Sequence, residues 1–216
     1  MNTIVDRYNK IKSFIDTHSH KAKIVAISKT FDINHIKPII ELGHLHFGEN
    51  KVQEAEKKWK PILSENKNIK LHMVGKLQSN KAKKAVEIFH YVHSLDNQKL
   101  AKTLSIAQEN SGKQLNYFIQ VNVGEENQKS GLSVKEVNDF YEFCLKETNL
   151  KIIGLMVIPP NDGNEEKYFK LINQLNMSLN FSDLSMGMSG DFKIALNFNS
   201  SFLRIGSAIF GERIRK

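Results

Sequence analysis

The feature that most constrains the fold of this chain is a regular alternation of short apolar runs with longer amphipathic stretches. The runs have the length and composition of buried strands, and the stretches between them have helical periodicity. The predicted strands cover residues 23–28, 44–47, 70–74, 91–95, 115–123, 150–158, 181–185 and 202–206. An open doubly wound sheet is the alternative, but no Gly-rich dinucleotide turn follows the first strand. Eight β-α units close a barrel, so we predict an α/β fold, a single-domain TIM-like (β/α)8 barrel over residues 1–216.

The composition is that of an ordinary globular domain, with 40% hydrophobic and 25% charged residues. A net charge of +8 could indicate nucleic-acid binding, but the lysines are spread over helix faces and no aromatic residues alternate with them. The first 15 residues hold no unbroken apolar stretch long enough for a signal peptide or membrane span. Cys144, the one cysteine, lies on the apolar face of a predicted helix, which favours a buried thiol over a nucleophile. We expect a cytoplasmic protein whose main partner is neither nucleic acid nor a membrane.

Helix boundaries can also be predicted from the sequence. Asn50 is a candidate N-cap for a helix whose inner face carries Val52, Ala55 and Trp59. Apolar residues at helical spacing predict a first helix packed against the domain, at Ile4, Tyr8, Ile11 and Ile15. Further signals are a capping box at Ser133 and Glu136, C′ glycines at Gly43 and Gly112, and a kink or late helix start at Pro38.

Conspicuous polar residues follow the predicted strands, where a barrel of this kind carries its chemistry. Lys29 comes directly after the first strand, and Glu49 and Asn50 come after the second. A lysine at a barrel mouth is partly desolvated, which lowers its pKa and makes a neutral amine available to condense with an aldehyde. The alternative interpretation of Lys29 is an ordinary surface lysine.

Two turns of small residues follow the last two strands, where a phosphate site is common in these barrels. Residues 185–191, SMGMSGD, place Ser189 near a predicted helix start, and Ser207 follows Gly206 at the next one. Exposed N–H groups and the helix dipole favour a phosphate at such positions. Either turn alone is an ordinary loop, but together they indicate a phosphorylated ligand.

Arg204 alternates with apolar neighbours on the last predicted strand, so its side chain should point into the barrel. An arginine buried there needs a partner. The partner is either a carboxylate such as Glu49, or a ring nitrogen or oxygen of a ligand. A phosphate site, a buried arginine and an amine at one barrel mouth together indicate a phosphorylated aldehyde cofactor.

The same residues resemble the pyridoxal phosphate homeostasis protein family, the YggS/PROSC group. The matching segments are AISKT (26–30), FGENKVQE (47–54), HMVGKLQSNK (72–81), KSG (129–131), GLMVI (154–158), LSMGMSGD (184–191) and RIGSAIFGER (204–213). They cover nearly the whole chain in the family's order. The resemblance implies a barrel of the alanine racemase N-terminal type, without the second β domain of the racemases.

The resemblance also implies that pyridoxal 5′-phosphate (PLP) is carried covalently on Lys29 as a Schiff base. The other residues implied to surround the cofactor are Ser189, Gly206 and Ser207 at the phosphate with Ser185 close by, Arg204 at the pyridine nitrogen, and Asn50 at the mouth. Departures from the family are small: Lys76 follows Gly75 where histidine or proline is frequent, Ser207 replaces threonine, and Asn199 replaces glycine. Asparagine tolerates the left-handed conformation a turn at 199 would need.

A protonated arginine at the pyridine nitrogen would leave the ring a weak electron sink, because it cannot give up its proton fully. A racemase would also need a second base. His72, Tyr91 and His93 could be proposed, although histidines inside apolar strands are more often hydrogen-bonded core residues. We therefore expect a monomeric PLP-binding protein of intracellular PLP (vitamin B6) homeostasis, without robust catalysis, that delivers PLP by transimination to recipients such as apo-PLP enzymes. The alternatives are a weak PLP-dependent amino-acid racemase and a sugar-phosphate barrel enzyme that uses no cofactor.

Overall fold

The computed structural model of the chain describes residues 3–18, 22–126 and 128–212. Eight parallel strands form a closed barrel in chain order, and the last strand is hydrogen-bonded to the first. The strands are β1 (Lys23–Ile27), β2 (His46–Glu49), β3 (Lys70–Met73), β4 (Tyr91–Leu95), β5 (Asn116–Val121), β6 (Lys151–Val157), β7 (Asp183–Met188) and β8 (Phe202–Ile205). The (β/α)8 barrel predicted from eight repeating units is confirmed.

Helices connect the strands and bury one face each against the barrel. They are α1 (Ile4–His18), α2 (Ile33–Glu41), α3 (Val52–Glu65), α4 (Ala82–Ile88), α5 (Gln98–Ser111), α6 (Val137–Glu147), α7 (Glu165–Ser178), α8 (Phe192–Leu196) and α9 (Ser207–Phe210). The predicted inner face of α3 is confirmed, since Val52, Ala55 and Trp59 are all buried. Cys144 is likewise buried on α6. None of the helices in the described part of the chain is long and apolar enough to cross a membrane.

Several predicted helix ends are confirmed by the backbone. The Glu136 carboxylate accepts hydrogen bonds from the N–H and hydroxyl of Ser133, at 2.8 and 2.6 Å. Gly43 and Gly112 have φ values of 79° and 64° at the ends of α2 and α5, the left-handed conformation that stops a helix. Asn199 has φ 61°, so the residue that replaces glycine there does adopt the conformation the turn requires.

Several boundary predictions are wrong, among them that of β7, which spans Asp183–Met188 and not 181–185. Strand β2 begins at His46, two residues later than predicted. The N-cap position of α3 is Lys51 and not Asn50, which turns toward the strand ends instead. Helix α2 does not start late at Pro38 but at Ile33, because the Asp32 side chain caps it by accepting from the N–H of residue 35 at 2.9 Å. Pro38 costs this helix one backbone hydrogen bond; the predicted kink stays a prediction.

Apolar side chains also fill the inside of the barrel. Val25, Ile27, Phe118, Met156 and Phe202 form this inner cluster, separate from the larger core between strands and helices. Successive strand residues alternate between the two cores, as the pleat dictates. The residues that continue the inward row past the strand ends therefore meet at the mouth of the barrel.

The first and last helices of the described chain hold each other in place. Helix α1 buries Tyr8, Ile11 and Ile15, as its spacing predicts, and packs against α9 and α2. The guanidinium Nε of Arg7 donates to the carbonyl of Ile209 at 2.8 Å, across 202 residues of sequence. Helix α9 begins beside the barrel mouth, so these contacts fix one wall of the site described next.

Candidate functional site

A cavity of about 280 Å³ opens at the carboxyl ends of the strands. Small-molecule sites occupy roughly 300–1,000 Å³, so the cavity suits a compact ligand. Its lining consists of Ile27, Lys29, Asn50, Val74, Ile158, Met188, Ser189, Gly190, Arg204, Gly206 and Ser207. Six of the seven predicted site residues lie in this lining. The seventh, Ser185, does not, because it is fully buried beneath Arg204.

Lys29 reaches the mouth because it continues the inward row of β1. It follows the inward-facing Ile27 by two residues, and its side chain is half-buried. The backbone around it is fixed, since Ser28 donates its N–H to the Gly48 carbonyl at 3.0 Å. Thr30 then adopts φ 70°, which turns the chain sharply away from the barrel. The amine is thereby presented to the cavity from a rigid base.

A buried ion pair stands directly behind this turn. The Glu49 carboxylate is fully buried, and its Oε1 accepts from Ser28 Oγ at 2.7 Å, Lys58 Nζ at 2.9 Å and Trp59 Nε1 at 2.9 Å. Lys58 Nζ also donates to the Ser28 carbonyl at 2.8 Å. Sequence reasoning missed Lys58, although its position nine residues after the strand-end carboxylate Glu49 and beside the buried Trp59 was the available signal. The network anchors the residue that precedes Lys29.

Arg204 is buried, and its partner is not Glu49, so the carboxylate interpretation from the sequence is wrong. One terminal nitrogen donates to the carbonyl and hydroxyl of Ser185, both at 2.7 Å, and the other donates to the Val157 carbonyl at 2.7 Å. Within the described ranges no carboxylate lies within ion-pair distance of Arg204, and its Nε–H has no acceptor. Burial lowers the pKa of Arg204 to about 10, so the group stays cationic at neutral pH. A cation that lines the cavity in this way can donate to a ligand acceptor.

The turns after β7 and β8 meet at the opposite wall. Ser189 Oγ accepts from the N–H groups of Gly206 and Ala208 at 3.3 and 3.2 Å, the long end of the range for N–H···O bonds. A side chain at Gly206 would be crowded, because its Cβ would lie 3.3 Å from Ile27 Cβ. Ser207 opens α9 as predicted, but Ser189 precedes the Asp191 N-cap of α8 and does not start that helix. Two serine hydroxyls and the first N–H groups of α9 are donors that suit a phosphate group.

The mouth continues into a second cavity of about 220 Å³ that shares Asn50, Val74 and Ile158 with the first. Lys76 is exposed at its border. Gly75 allows the chain to pass here, because a Cβ on it would lie 2.4 Å from the backbone oxygen of Asn50. The first cavity therefore has a polar approach from solvent.

The strand histidines are hydrogen-bonded core residues, as the more frequent pattern predicts. His72 and His93 are fully buried, and their rings are joined at 2.8 Å. His46, which the sequence interpretation overlooked, bonds to His72 at 2.9 Å, and Ser185 bonds to His93 at 2.8 Å. These residues occupy inward-facing positions of β2, β3, β4 and β7. The alternation of inward and outward side chains along each strand was the signal that could have placed them in one cluster.

The donor set fits a ligand with three kinds of group. The amine would contact an aldehyde, and the buried guanidinium would contact a ring nitrogen. The cluster of N–H and hydroxyl donors would contact a phosphate. Pyridoxal phosphate carries all three groups on one ring. The residues present therefore fit this cofactor.

Known proteins share both sequence and structure with this chain. Residues 2–214 match the family described as alanine racemase, N-terminal domain. A pyridoxal phosphate homeostasis protein of Aquifex aeolicus is 32% identical over 99% of this chain and 96% of its own length. That of Pasteurella multocida is 36% identical over 88% of this chain and 86% of its own. The structure of PipY from Synechococcus elongatus with PLP bound is 29% identical, with a TM-score of 0.88 over 97% of this chain and all of PipY. The chain therefore belongs to the alanine racemase N-terminal domain family and, within it, to the pyridoxal phosphate homeostasis proteins.

Proposed function

We propose that this chain binds PLP in the strand-end cavity and serves PLP homeostasis, holding the cofactor and passing it on. The observation that carries the proposal is the meeting of Lys29, Arg204 and the first N–H groups of α9 in one cavity of about 280 Å³. The names of the similar proteins and the PLP-bound PipY structure support the same conclusion.

Each lining residue would have a defined role toward the cofactor. Lys29 Nζ would hold the aldehyde carbon as a Schiff base. Arg204 would donate its Nε–H to the pyridine nitrogen, with Ser185 fixing the guanidinium from below. The phosphate would take the place of the Ser189 hydroxyl as acceptor of the Gly206 N–H and would gain Ser207, with Asn50 at the mouth.

PLP, when bound, supplies an electrophilic carbon that can be exchanged between amines. For delivery, the nitrogen of an incoming amine would bond to that carbon as the bond between the carbon and Lys29 Nζ breaks, and the proton that the amine gives up would pass to Lys29 Nζ. The polar approach past Asn50 and Lys76 would admit the amine. Binding at Lys29 is thus compatible with release to a recipient.

The lining favours a carrier over a racemase. Of the described residues that line the cavity, only Lys29 and Arg204 have titratable side chains. His72 and His93 are held by other partners deep in the barrel and do not reach the cavity. A racemase needs a second acid–base group opposite its lysine. We infer that the chain lacks robust catalytic activity.

We further infer that residues 1–216 act as one PLP-binding barrel domain, and as a monomer in the cytoplasm. The closed barrel supports the first inference, because no strand edge remains open in it. Apo-PLP enzymes are the recipients that a carrier of this cofactor would serve. Light scattering of the purified protein tests the monomer; a dimeric mass would overturn it.

The covalent site is tested by adding PLP to the wild type, to Lys29→Ala and to the control Lys76→Ala, then reducing with borohydride. Wild type and Lys76→Ala should show a visible absorption band that reduction fixes onto the peptide containing Lys29. Lys29→Ala should lose it. An equal band in Lys29→Ala would overturn the assignment.

Catalysis is tested separately with alanine or serine in deuterated buffer. A carrier should leave the Cα hydrogen in place during an overnight incubation with loaded protein. Robust deuterium uptake at Cα, lost in Lys29→Ala, would establish the racemase instead.

A further inference from the structure

A continuous row of polar side chains crosses the interior of the barrel from the cavity toward the opposite end. Arg204 donates to Ser185 Oγ at 2.7 Å, and Ser185 Oγ bonds to His93 Nδ1 at 2.8 Å. His93 Nε2 bonds to His72 Nδ1 at 2.8 Å, and His72 Nε2 bonds to His46 Nδ1 at 2.9 Å. Five residues on five strands are thus joined by four hydrogen bonds of ordinary length.

The direction of every bond in this row follows from its first member. A guanidinium can only donate, so Ser185 Oγ accepts from Arg204. The Ser185 hydroxyl has one other described partner, His93 Nδ1, and must donate to it or leave a buried hydrogen without an acceptor. His93 then carries its proton on Nε2 and donates to His72, which by the same logic donates to His46. All three rings are therefore Nε2–H tautomers.

The middle of the row is fully buried, and its far end lies near solvent. His72 and His93 are fully buried, whereas His46 is half-buried and borders a surface cavity of about 230 Å³ at the amino ends of the strands. Burial lowers the pKa values of His72 and His93 well below 6.5 and that of His46 to about 4. All three rings are neutral at physiological pH.

Packing holds the rings in these orientations. His72 stacks on Tyr91 with a centroid distance of 4.2 Å and an interplanar angle of 6°. His93 stacks on Phe118 with a centroid distance of 4.4 Å. The rings are therefore kept in line by aromatic neighbours as well as by their hydrogen bonds.

The neutral, aligned rings stabilise the buried cation of Arg204, which is the role that a carboxylate has beside buried arginines in other sites. Each imidazole turns its lone pair toward the guanidinium, so the negative ends of the side-chain dipoles face the buried cation. A carboxylate would engage the guanidinium directly, whereas the hydroxyl of Ser185 occupies only one terminal nitrogen. The Nε–H side of Arg204 stays available for a ligand.

We propose that Ser185, His93, His72 and His46 form a one-directional hydrogen-bond relay, in which the histidines are positioning residues that hold Arg204 toward the cofactor ring. The relay's direction follows from the geometry alone, while its effect on the ring rests on the proposed PLP site.

The direction is tested first on the wild-type protein without cofactor. Nitrogen-15 spectra distinguish protonated from unprotonated ring nitrogens, and conservative histidine variants assign the signals. His46, His72 and His93 should each show a protonated Nε2 and an unprotonated Nδ1 at pH 7. A proton on Nδ1 of His72 or His93 would overturn the relay, whether or not PLP binds.

The effect on the cofactor is tested with His93→Phe, His93→Asn and His72→Phe, each loaded with PLP. His93→Phe keeps the aromatic packing but removes the acceptor for Ser185, and should shift the absorption maximum and weaken PLP binding about tenfold. His93→Asn should restore most of the wild-type absorption maximum and of the PLP affinity, because the asparagine side-chain oxygen can accept from Ser185. His72→Phe should have a smaller effect than His93→Phe. Equal PLP affinity and absorption in the two position-93 variants would refute the positioning role. Absence of the absorption band in the wild type would refute the PLP site instead.

Discussion

The buried ion pair behind Lys29 should be the most sensitive electrostatic contact in the fold. The Lys58 and Glu49 side chains are 8% and 0% exposed, and their charged atoms lie 2.9 Å apart. Lys58→Met keeps most of the apolar stem but leaves the Glu49 carboxylate buried without a cation. Breaking a buried pair in this way costs about 3–5 kcal/mol.

That loss corresponds to a large change in melting temperature. The entropy of unfolding is about 2.1 cal/mol/K per residue, or roughly 450 cal/mol/K for a chain of 216 residues. We therefore expect Lys58→Met to lower the melting temperature by about 7–11 °C. Urea unfolding followed by far-UV circular dichroism should report the same free-energy change, and Trp59, the one tryptophan in the sequence, gives an independent fluorescence signal.

Two controls separate burial from charge alone. Lys84 and Glu56 form a pair of the same 2.9 Å length on the surface, so Lys84→Met should cost less than about 1 kcal/mol. The double variant Glu49→Gln with Lys58→Met should recover much of the loss, because a neutral amide can still accept from Ser28 and Trp59. Equal small losses for Lys58→Met and Lys84→Met, or a double variant as unstable as Lys58→Met, would show that this reasoning is wrong.

Three further outcomes follow from the packing and burial of individual residues. Gly154→Ala should cost more than about 4 kcal/mol in urea unfolding, because its Cβ would lie 1.8 Å from the Asp183 carbonyl oxygen; Gly190→Ala, with open space around it, should change stability by less than about 0.5 kcal/mol. Burial raises the pKa of Cys144 to about 12, so Ellman's reagent at pH 8 should react with it only after denaturation; rapid reaction with folded protein would contradict the buried assignment. Burial lowers the pKa of His44 from 6.5 to about 4, so the stability it contributes above pH 6.5 is lost as pH falls toward 4. Wild type should therefore lose roughly 1–2 kcal/mol more than His44→Gln between pH 7 and pH 4, and parallel stability–pH curves would refute this.

The barrel could be predicted from the sequence because each strand and helix carries its own periodic signal. Lys29, Arg204 and Ser207 could be placed at the mouth for the same reason, since each comes from a strand or directly follows one. Local sequence signals such as capping residues predicted the boundaries of helices and strands less accurately. Asn50 has the composition of an N-cap, but its position beside β2 places it at the cavity instead.

Partners across the barrel could not be predicted, because they depend on how strands are placed side by side. The sequence offered Glu49 as a partner for Arg204, yet Glu49 faces α3 and its residue Lys58, while Arg204 faces Ser185. The alternating pattern predicts which side chains of a strand point into the barrel, but not how far along the barrel axis each of them lies. For the same reason, the histidines could be recognised in the sequence only as separate strand residues, and the hydrogen bonds between them could not be predicted.

The closure of β8 against β1 sets when this protein can first act during its own synthesis. Lys29 leaves the ribosome well before Arg204, Gly206 and Ser207, because it precedes them by most of the described chain. A growing chain thus has the amine long before it has the guanidinium and the N–H groups that would recognise a phosphate. Until β8 docks, β1 and β7 also present open parallel edges. Capacity to capture a ligand is therefore acquired in one late step, together with the completed fold.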